Sequence, residues 1–518
     1  MPIFQLGQLN TTALIVPDLY VQIVPPQVTL LNGVPTNILG MVGTASWGPV
    51  NAPTIVAGMA DFAQKFGPVM PRKYDLGTGI AAAVLQGAAN FRCVRVSDGT
   101  DAAATLALKD VTTPTAATGL TLSGKYTGSL GNQLVASVFN GSQANTFRLV
   151  VAMPGLVPET FDNIPGTGAA LWTNMANAVN LGQGGLRGPS QLVTAAAGTS
   201  SAAPALVTNA AFAGGTDGAA TITAATLVGV DTVPRKGMYA LRNTGTSIAA
   251  LIDADDATEW TAQVAFGLSE GIYMIMVGPA GDSIANAVSA KTTAGIDSYA
   301  AKLLFGDWIY WNDPVNSQLR LISPQGFVAG LLANLAPQGS SLNKQLYGIV
   351  GTEKSMQNQT YSSADLQALV EAGIDLIANP VPGGSYFGAR TGHNSSSNAV
   401  IQGDNYTRMT NYIAATLNAG MGIYVGQLQT PTVRLQAKAT LDNYLYNLEQ
   451  QGQIGTADGS AAFAVVLDDS NNPPARVALG YMQADVQVVY LSIIEKFLVN
   501  IEGGQSVQVV SQGATPAQ

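Results

Sequence analysis

The chain has 518 residues, enough for about three or four domains at roughly 150 residues each, and only 11% of them are charged, against about 25% in an ordinary soluble domain. A net charge of -9 argues against wrapping a phosphate backbone, which needs concentrated Lys and Arg. The single cysteine, Cys93, cannot form an internal disulfide, and the single histidine, His393, cannot build a His-rich metal site or a paired-His acid/base.

Met1 to Thr12 lack the basic head and apolar core of a secretory signal, so the expectation is a chain made and kept without export. Leu19, Val21 and Ile23 alternate with Tyr20, Gln22 and Val24 in a period-two strand that Pro25-Pro26 ends, with no hairpin partner evident in the neighbouring sequence. An apolar run from Ile38 to Pro49 is followed by Phe62 and Phe66, four apart on a short helix closed by Gly67-Pro68. An Ala-rich helix over Thr78 to Asn90 then leads into a strand through Phe91, Cys93 and Val96, which gives an α/β rhythm. Between Asp98 and Val230 the composition shifts to Ala, Thr, Gly and Ser, with strand-like Gln133 to Phe139 and Thr146 to Ala152 between turns, the pattern of a β-rich inserted domain.

From Arg235 the α/β rhythm returns: a strand over Met238 to Asn243, a helix over Ala257 to Leu268, a strand over Ile272 to Val277, a helix over Ser283 to Ala294, a strand over Leu303 to Trp311 and a helix over Phe327 to Leu335. Gly271 to Ala280, the most apolar stretch, is half the length that crosses a bilayer and reads as a buried strand. Ser362 and Asp365 form a capping-box signature before another helix, with Gly373 at its end. After Pro380 to Gly384, amphipathic helices are marked by Tyr406, Met409, Ile413 and Leu417 and, over Thr432 to Gln450, by Leu441, Leu445 and Leu448. Val486 to Ile501 is apolar on both parities, as in a strand buried on two faces, and Gly503-Gly504 releases a last strand, Ser506 to Val510 (Ser506, Val507, Gln508, Val509 and Val510).

The expected fold is multidomain α+β and α/β: a discontinuous α/β domain (26–97 and 231–382) carrying a β-rich insertion (98–230), then an α+β C-terminal domain (383–502), with lone strands in the terminal segments 1–25 and 503–518. Few charges on a chain 47% hydrophobic are most simply reconciled by multi-subunit assembly; the alternative is a neutral Gly/Ala/Thr-rich surface.

Several motifs mimic chemistry. Gly119, Gly124 and Lys125 spell a phosphate-loop pattern, but Tyr126 replaces its Ser or Thr. Gly267, Ser269 and Gly271 spell a nucleophile elbow, but helix precedes strand instead of following it. Asp253, Asp255 and Asp256 read as helix capping rather than a divalent site, His393 as a residue of a polar surface loop, and Cys93 as a buried, inert thiol. No cofactor, metal or catalytic residue is expected.

Val16-Pro17-Asp18-Leu19-Tyr20-Val21, Gly40 to Ala45, Gly48 to Pro53, Asp61-Phe62 with Phe66-Gly67, Gly128 to Asn132, Ala213 to Gly218, Ser323 to Gly326 with Ala329-Gly330, Gly388 to Thr391 and Tyr406 to Leu417 stand in an order and spacing that resembles the contractile tail sheath proteins of bacteriophages and related injection systems. Asp18 departs from that pattern, where Gly is usual. The resemblance implies a non-enzymatic virion structural subunit, assembled in the host cytoplasm as hexameric rings stacked helically around a tail tube. It implies that the insertion 98–230 protrudes, that the C-terminal domain 383–502 is the inner assembly domain and that the terminal segments 1–25 and 503–518 are extended arms. It implies partners in the tube, baseplate and tail terminator proteins, contraction that ejects the genome, and neither nucleic acid binding nor membrane insertion. Strand exchange between neighbours would use Leu19 to Val24 and Ser506 to Val510, with Pro25, Pro26, Gly503 and Gly504 as joints. Arg434 and Lys438 are candidate tube-facing residues, the alternative being that they are solvated helix charges. The alternative function is another self-assembling virion or surface-lattice protein.

Overall fold

The computed structural model describes residues 3–6, 20–23, 31–499 and 501. Strands β1 (Ile3–Leu6) and β2 (Tyr20–Ile23) pair in parallel, Ile3 beside Tyr20 and Leu6 beside Ile23. The amino-terminal strand read from the sequence as lone therefore has an in-chain partner. Parallel pairing needs a crossover instead of a tight turn, so no hairpin signal marks it. Leu19, Val24, Pro25-Pro26, Gly503-Gly504 and Ser506 to Val510 lie outside the described residues.

Strand β3 (Leu39–Gly43) is buried throughout; β4 (Thr54–Val56), α1 (Met59–Phe66), α2 (Leu76–Leu85) and β5 (Phe91–Arg95) follow. Phe62 and Phe66 face the core from α1, with ring centroids 5.5 Å apart. Asp75 caps α2 by accepting from the Thr78 N–H at 2.8 Å.

The inserted segment holds β6 (Thr105–Lys109), β7 (Thr118–Gly124), β8 (Val135–Asn140), β9 (Phe147–Ala152), β10 (Glu159–Ile164), α3 (Gly168–Leu181), β11 (Val193–Ala197) and β12 (Val207–Ala211). They form sheets ordered β10-β9-β8-β12 and β11-β7-β6. Helix α3, which sequence reading missed, buries Leu171, Trp172, Met175 and Val179 against them. Gly119 belongs to this packing: a Cβ there would lie 2.1 Å from the Trp172 ring. At its root, the fully buried Arg95 donates through Nη1 to the Gly48 and Thr127 carbonyls and through Nη2 to the Asp217 carbonyl.

Beyond α4 (Ala224–Val228), Met238 to Asn243 does not form the expected strand; Gly237–Leu241 is a 3-10 turn, and the strand is β13 (Ile248–Leu251). Then come α5 (Trp260–Glu270), β14 (Tyr273–Val277), α6 (Ile284–Thr293) and β15 (Ala301–Leu304). The expected single strand Leu303 to Trp311 is broken after Leu304, and β16 (Ile309–Asp313) restarts in another sheet. Gly306 at the break sits so close to Pro279 that a Cβ would fall 1.9 Å from its carbonyl oxygen. Next are β17 (Gln318–Ile322), α7 (Gln325–Asn334), β18 (Ile349–Thr352), α8 (Glu353–Met356), α9 (Ser363–Glu371), β19 (Ile377–Ala378) and β20 (Gly388–Ala389). Ser362 and Asp365 make the expected capping box on α9.

One six-stranded sheet, ordered β15-β14-β13-β3-β5-β4, draws strands from both sides of the insertion; all are parallel except the edge strand β4. Helices α1, α2 and α7 share one of its two cores, and α4, α5, α6 and α9 the other, which explains why its strands are apolar on both parities. Helices α2 and α7 touch through small residues, with Gly326 over Gly79 and Ala82 and Gly330 over Ala83.

The carboxy-terminal part contains α10 (Asp404–Gly420), α11 (Pro431–Gln450), β21 (Phe463–Val466), α12 (Pro474–Ala478) and β22 (Asp485–Val488), with β21 and β22 antiparallel. Met409, Ile413, Leu441, Tyr444, Leu445 and Leu448 form its small core. Val486 to Ile501 is not the doubly buried strand expected. Strand β22 ends at Val488, and Ile494, Phe497 and Leu498 are 79%, 85% and 84% exposed, because no second layer among the described residues covers them.

Candidate assembly surface

Past β22 the chain keeps a few polar ties to its own body. The Val489 N–H donates to the Ala462 carbonyl at 2.8 Å, and Asn405 Nδ2 donates to the Leu491 carbonyl at 3.1 Å. The Tyr490 ring meets Tyr406 edge-on at 5.8 Å. Glu495 Oε1 lies 2.7 Å from His393 Nε2. His393 is thus buried and paired, and not in a surface loop as the sequence suggested; its polar neighbours Asn394, Ser395 and Ser396 are buried too, in hydrogen bonds to the backbone. Beyond Glu495, Phe497, Leu498, Val499 and Ile501 present apolar side chains to solvent. Among the described residues nothing covers this row, and consecutive large apolar side chains left exposed mark it as a candidate contact surface.

Strands β21 and β22 form a sheet of only two strands among the described residues, so each has an outer edge free to hydrogen-bond another strand. Next to β22 a cleft of about 510 Å³ is lined by Leu417, Met421, Tyr424, Val433, Leu441 and Tyr481. Val425 and Leu428 stand exposed in the loop on its rim. On α11, Arg434 Nη1 lies 2.6 Å from Asp469 and Lys438 Nζ lies 2.8 Å from Asp442. Both candidate tube-facing cations therefore have acids of their own chain beside them, and Arg434 is only 16% exposed.

The carboxy-terminal part is tied to the six-stranded sheet by charges that sequence reading did not single out. Lys302 on β15 places Nζ 2.6 Å from Asp375 Oδ2 and 3.1 Å from Asp404 Oδ1, and all three side chains are 0% exposed. The Tyr273 hydroxyl donates to Asp404 at 2.6 Å, and the Ser341 N–H and hydroxyl also donate to it. Burial pulls the Asp375 carboxyl upward, but the Lys302 charge overrides this and holds it below the usual carboxylate range. Burial likewise disfavours the Lys302 ammonium, and the two acids more than compensate, raising its pKa. A lysine inside the run Ala301-Lys302-Leu303-Leu304 was the legible signal, because an apolar strand admits a charge only with a partner.

The motifs that mimic chemistry have structural roles. Gly119 and Gly124 lie in β7, and Lys125 Nζ donates to Gln191 Oε1 at 3.0 Å. The Ser269 hydroxyl donates to the Phe266 carbonyl within its own helix, and Gly271 ends that helix at φ 66°. Of the three aspartates only Asp256 caps, accepting from Thr258; Asp255 pairs with Lys73 at 2.9 Å, and the buried Asp253 accepts from the Tyr74 N–H. Cys93 is buried in β5, and burial pushes its thiol pKa upward. Among the described residues no cluster of three His, Cys, Asp or Glu could hold a metal ion, and no helix is long and apolar enough to cross a membrane.

No family model matches the sequence, and no curated relative matches it. Solved structures do. A sheath tail protein from Desulfitobacterium hafniense is 18% identical, with 86% of this chain and 93% of that one covered and a TM-score of 0.57. One from Listeria innocua is 13% identical, with 86% and 90% covered and a TM-score of 0.59. The helical sheath of the anti-feeding prophage in its contracted state is 11% identical, with 94% and 99% covered and a TM-score of 0.53. The chain has the fold of contractile sheath proteins, a mixed α/β multidomain architecture with several sheets.

Proposed function

We propose that the chain is the structural subunit of a contractile tail sheath, polymerising as stacked six-membered rings around a tail tube. The observation that carries the reading is the pairing of a sheath fold over nearly the whole chain with an apolar carboxy-terminal segment left uncovered beyond β22. In this reading the domains divide as 26–97 with 231–382, 98–230 and 383–502, with arms at 1–25 and 503–518. The arms, through Leu19 to Val24 and Ser506 to Val510, add strands to the open edges of β21 and β22 in a neighbour; main-chain hydrogen bonds give affinity and alternate side chains give register. Pro25-Pro26 and Gly503-Gly504 are the joints.

Contraction is then a rigid-body rearrangement of subunits that stay linked, from an extended lattice trapped above the contracted one. It needs no nucleotide or cofactor, and the chain is not an enzyme. Its release drives the tube through the host envelope for genome ejection. The tube, baseplate and terminator proteins are the partners, the virion tail is the final location, and the host cytoplasm is the place of assembly. Arg434 and Lys438 face the tube, exchanging Asp469 and Asp442 for tube acids.

Electron microscopy of the purified chain, alone and with its tube, tests this. Hollow six-fold rings or striated tubes are expected, and a dispersed monomer even with tube present overturns the reading. Charge reversal at Arg434 and Lys438 that leaves assembly on the tube intact refutes the tube-facing assignment alone.

A further inference from the structure

Lys302 is held in a setting where an amine and a carboxyl can condense. Asp375 is fixed beside β15 by its own backbone: its N–H donates to the Leu303 carbonyl at 2.9 Å, and its carbonyl accepts from the Phe305 N–H at 2.7 Å. This registers its side chain against Lys302, with Nζ 2.6 Å from Oδ2. Asp375 Oδ1 accepts from the Leu376 N–H at 2.8 Å and the Thr391 N–H at 3.0 Å, two donors already aimed where negative charge would grow on that oxygen. Asp404 is the second carboxyl, 3.1 and 3.3 Å from the same Nζ, and is itself fixed by Tyr273 and Ser341. Approach and orientation are settled by the fold, and what remains is transfer of a proton from the ammonium to the carboxylate, since the ion pair itself is unreactive.

We propose that Lys302 and Asp375 become joined by an intramolecular isopeptide bond, with Asp404 as the proton relay. One proton passes from Nζ through Asp404 to Asp375 Oδ2, which leaves a neutral amine beside a neutral acid, and a second follows the same path after the attack. The Nζ lone pair attacks Cγ, Oδ1 takes the negative charge in front of the Leu376 and Thr391 N–H groups, and the intermediate collapses with loss of Oδ2 as water. One C–N bond forms and one C–O bond breaks, with no change in oxidation state and no co-reactant. The condensation also replaces a buried ion pair, which carries a desolvation penalty, with a neutral amide. Asp404 stays hydrogen-bonded to Tyr273 and Ser341, with the buried Arg408 nearby. The cross-link would fasten β15 to the segment leading into β19 and is independent of the assembly role proposed above.

Intact mass spectrometry and tryptic mapping of the folded full-length chain test it. The expected mass is one water below that of the sequence, with the Lys302–Leu303 bond resistant to trypsin and a branched peptide joining the segments that contain Lys302 and Asp375. Asp404→Asn should restore the full mass and the cleavage; a variant that still cross-links overturns the relay role while the bond stands. Full mass with ordinary cleavage after Lys302 in the wild-type chain overturns the proposal, whether or not any variant folds.

Discussion

Gly330→Ala sets two physical effects against each other in the contact between α2 and α7. Helix propensity alone predicts a gain of about 1 kcal/mol, because glycine in a helix interior is that much worse than alanine. The packing predicts the opposite. A Cβ at Gly330 would stand 2.5 Å from Ala83 Cα and 2.7 Å from its carbonyl oxygen, and these are backbone atoms that no rotamer change can move. Helix α2 is itself buried on nearly every face, so the two helices must separate, and overpacking of this kind costs about 1–3 kcal/mol. With a main-chain clash the upper part of that range applies, which leaves a net loss of about 1–2 kcal/mol. At about 2–4 °C per kcal/mol for a unit of 150–250 residues, the melting temperature should fall by a few degrees. Thermal unfolding followed by circular dichroism measures the shift, and hydrogen exchange at α2 and α7 locates it. A variant that melts higher than the parent would refute the close-contact reasoning and show that propensity wins.

Burial, opposed by hydrogen bonds from Thr78 and Met70 and by the charge of Arg72, raises the Asp75 carboxyl from 3.8 to about 7. Stability should therefore be lost as pH rises from about 4 through 7, and Asp75→Asn should flatten that slope and exceed the parent by a few kcal/mol at pH 8; equal urea midpoints for both proteins at pH 8 would contradict it. Cys93 should resist thiol reagents in the native chain and react stoichiometrically in denaturant, so rapid native labelling would show that β5 opens. Deleting 1–24 or 503–518 should leave the unfolding transition unchanged and abolish long polymers seen by electron microscopy; normal tubes from both deletions would exclude strand exchange.

The central sheet was legible because its strands are short apolar runs between helices of clear period. Phe62 with Phe66 and Ser362 with Asp365 each announced an element through local chemistry. Helix α3 was obscured by its Ala, Asn and Thr, although Leu171, Met175 and Val179 repeat at four-residue spacing. Met238 to Asn243 misled because a 3-10 turn buries Met238 and Leu241 as effectively as a strand would. The run after Val486 misled for a different reason: apolar parity reports that a surface is to be covered, and says nothing of which chain covers it. Lys302, Asp375 and Asp404 meet from positions far apart in sequence, a proximity that only the tertiary fold creates.

The two ends of the inserted segment are stitched to each other. The Asp98 N–H donates to the Gly218 carbonyl at 2.8 Å, the Ala102 N–H to the Thr216 carbonyl at 3.1 Å, and Arg95 grips the Asp217 carbonyl beneath them. Exit and re-entry thus coincide at one spot on the sheet, and a second seam lies beside it, where the Leu130 N–H donates to the Ser46 carbonyl at 3.1 Å and Trp47 packs into the core of the insertion. A short turn in place of 103–215 would rejoin the chain at the same spot but strip the cover from Trp47, so a replacement domain with closely spaced termini must bring an apolar face of its own to that ring. The insertion could then be re-dressed through this one locus while the order of the six-stranded sheet is left as it is.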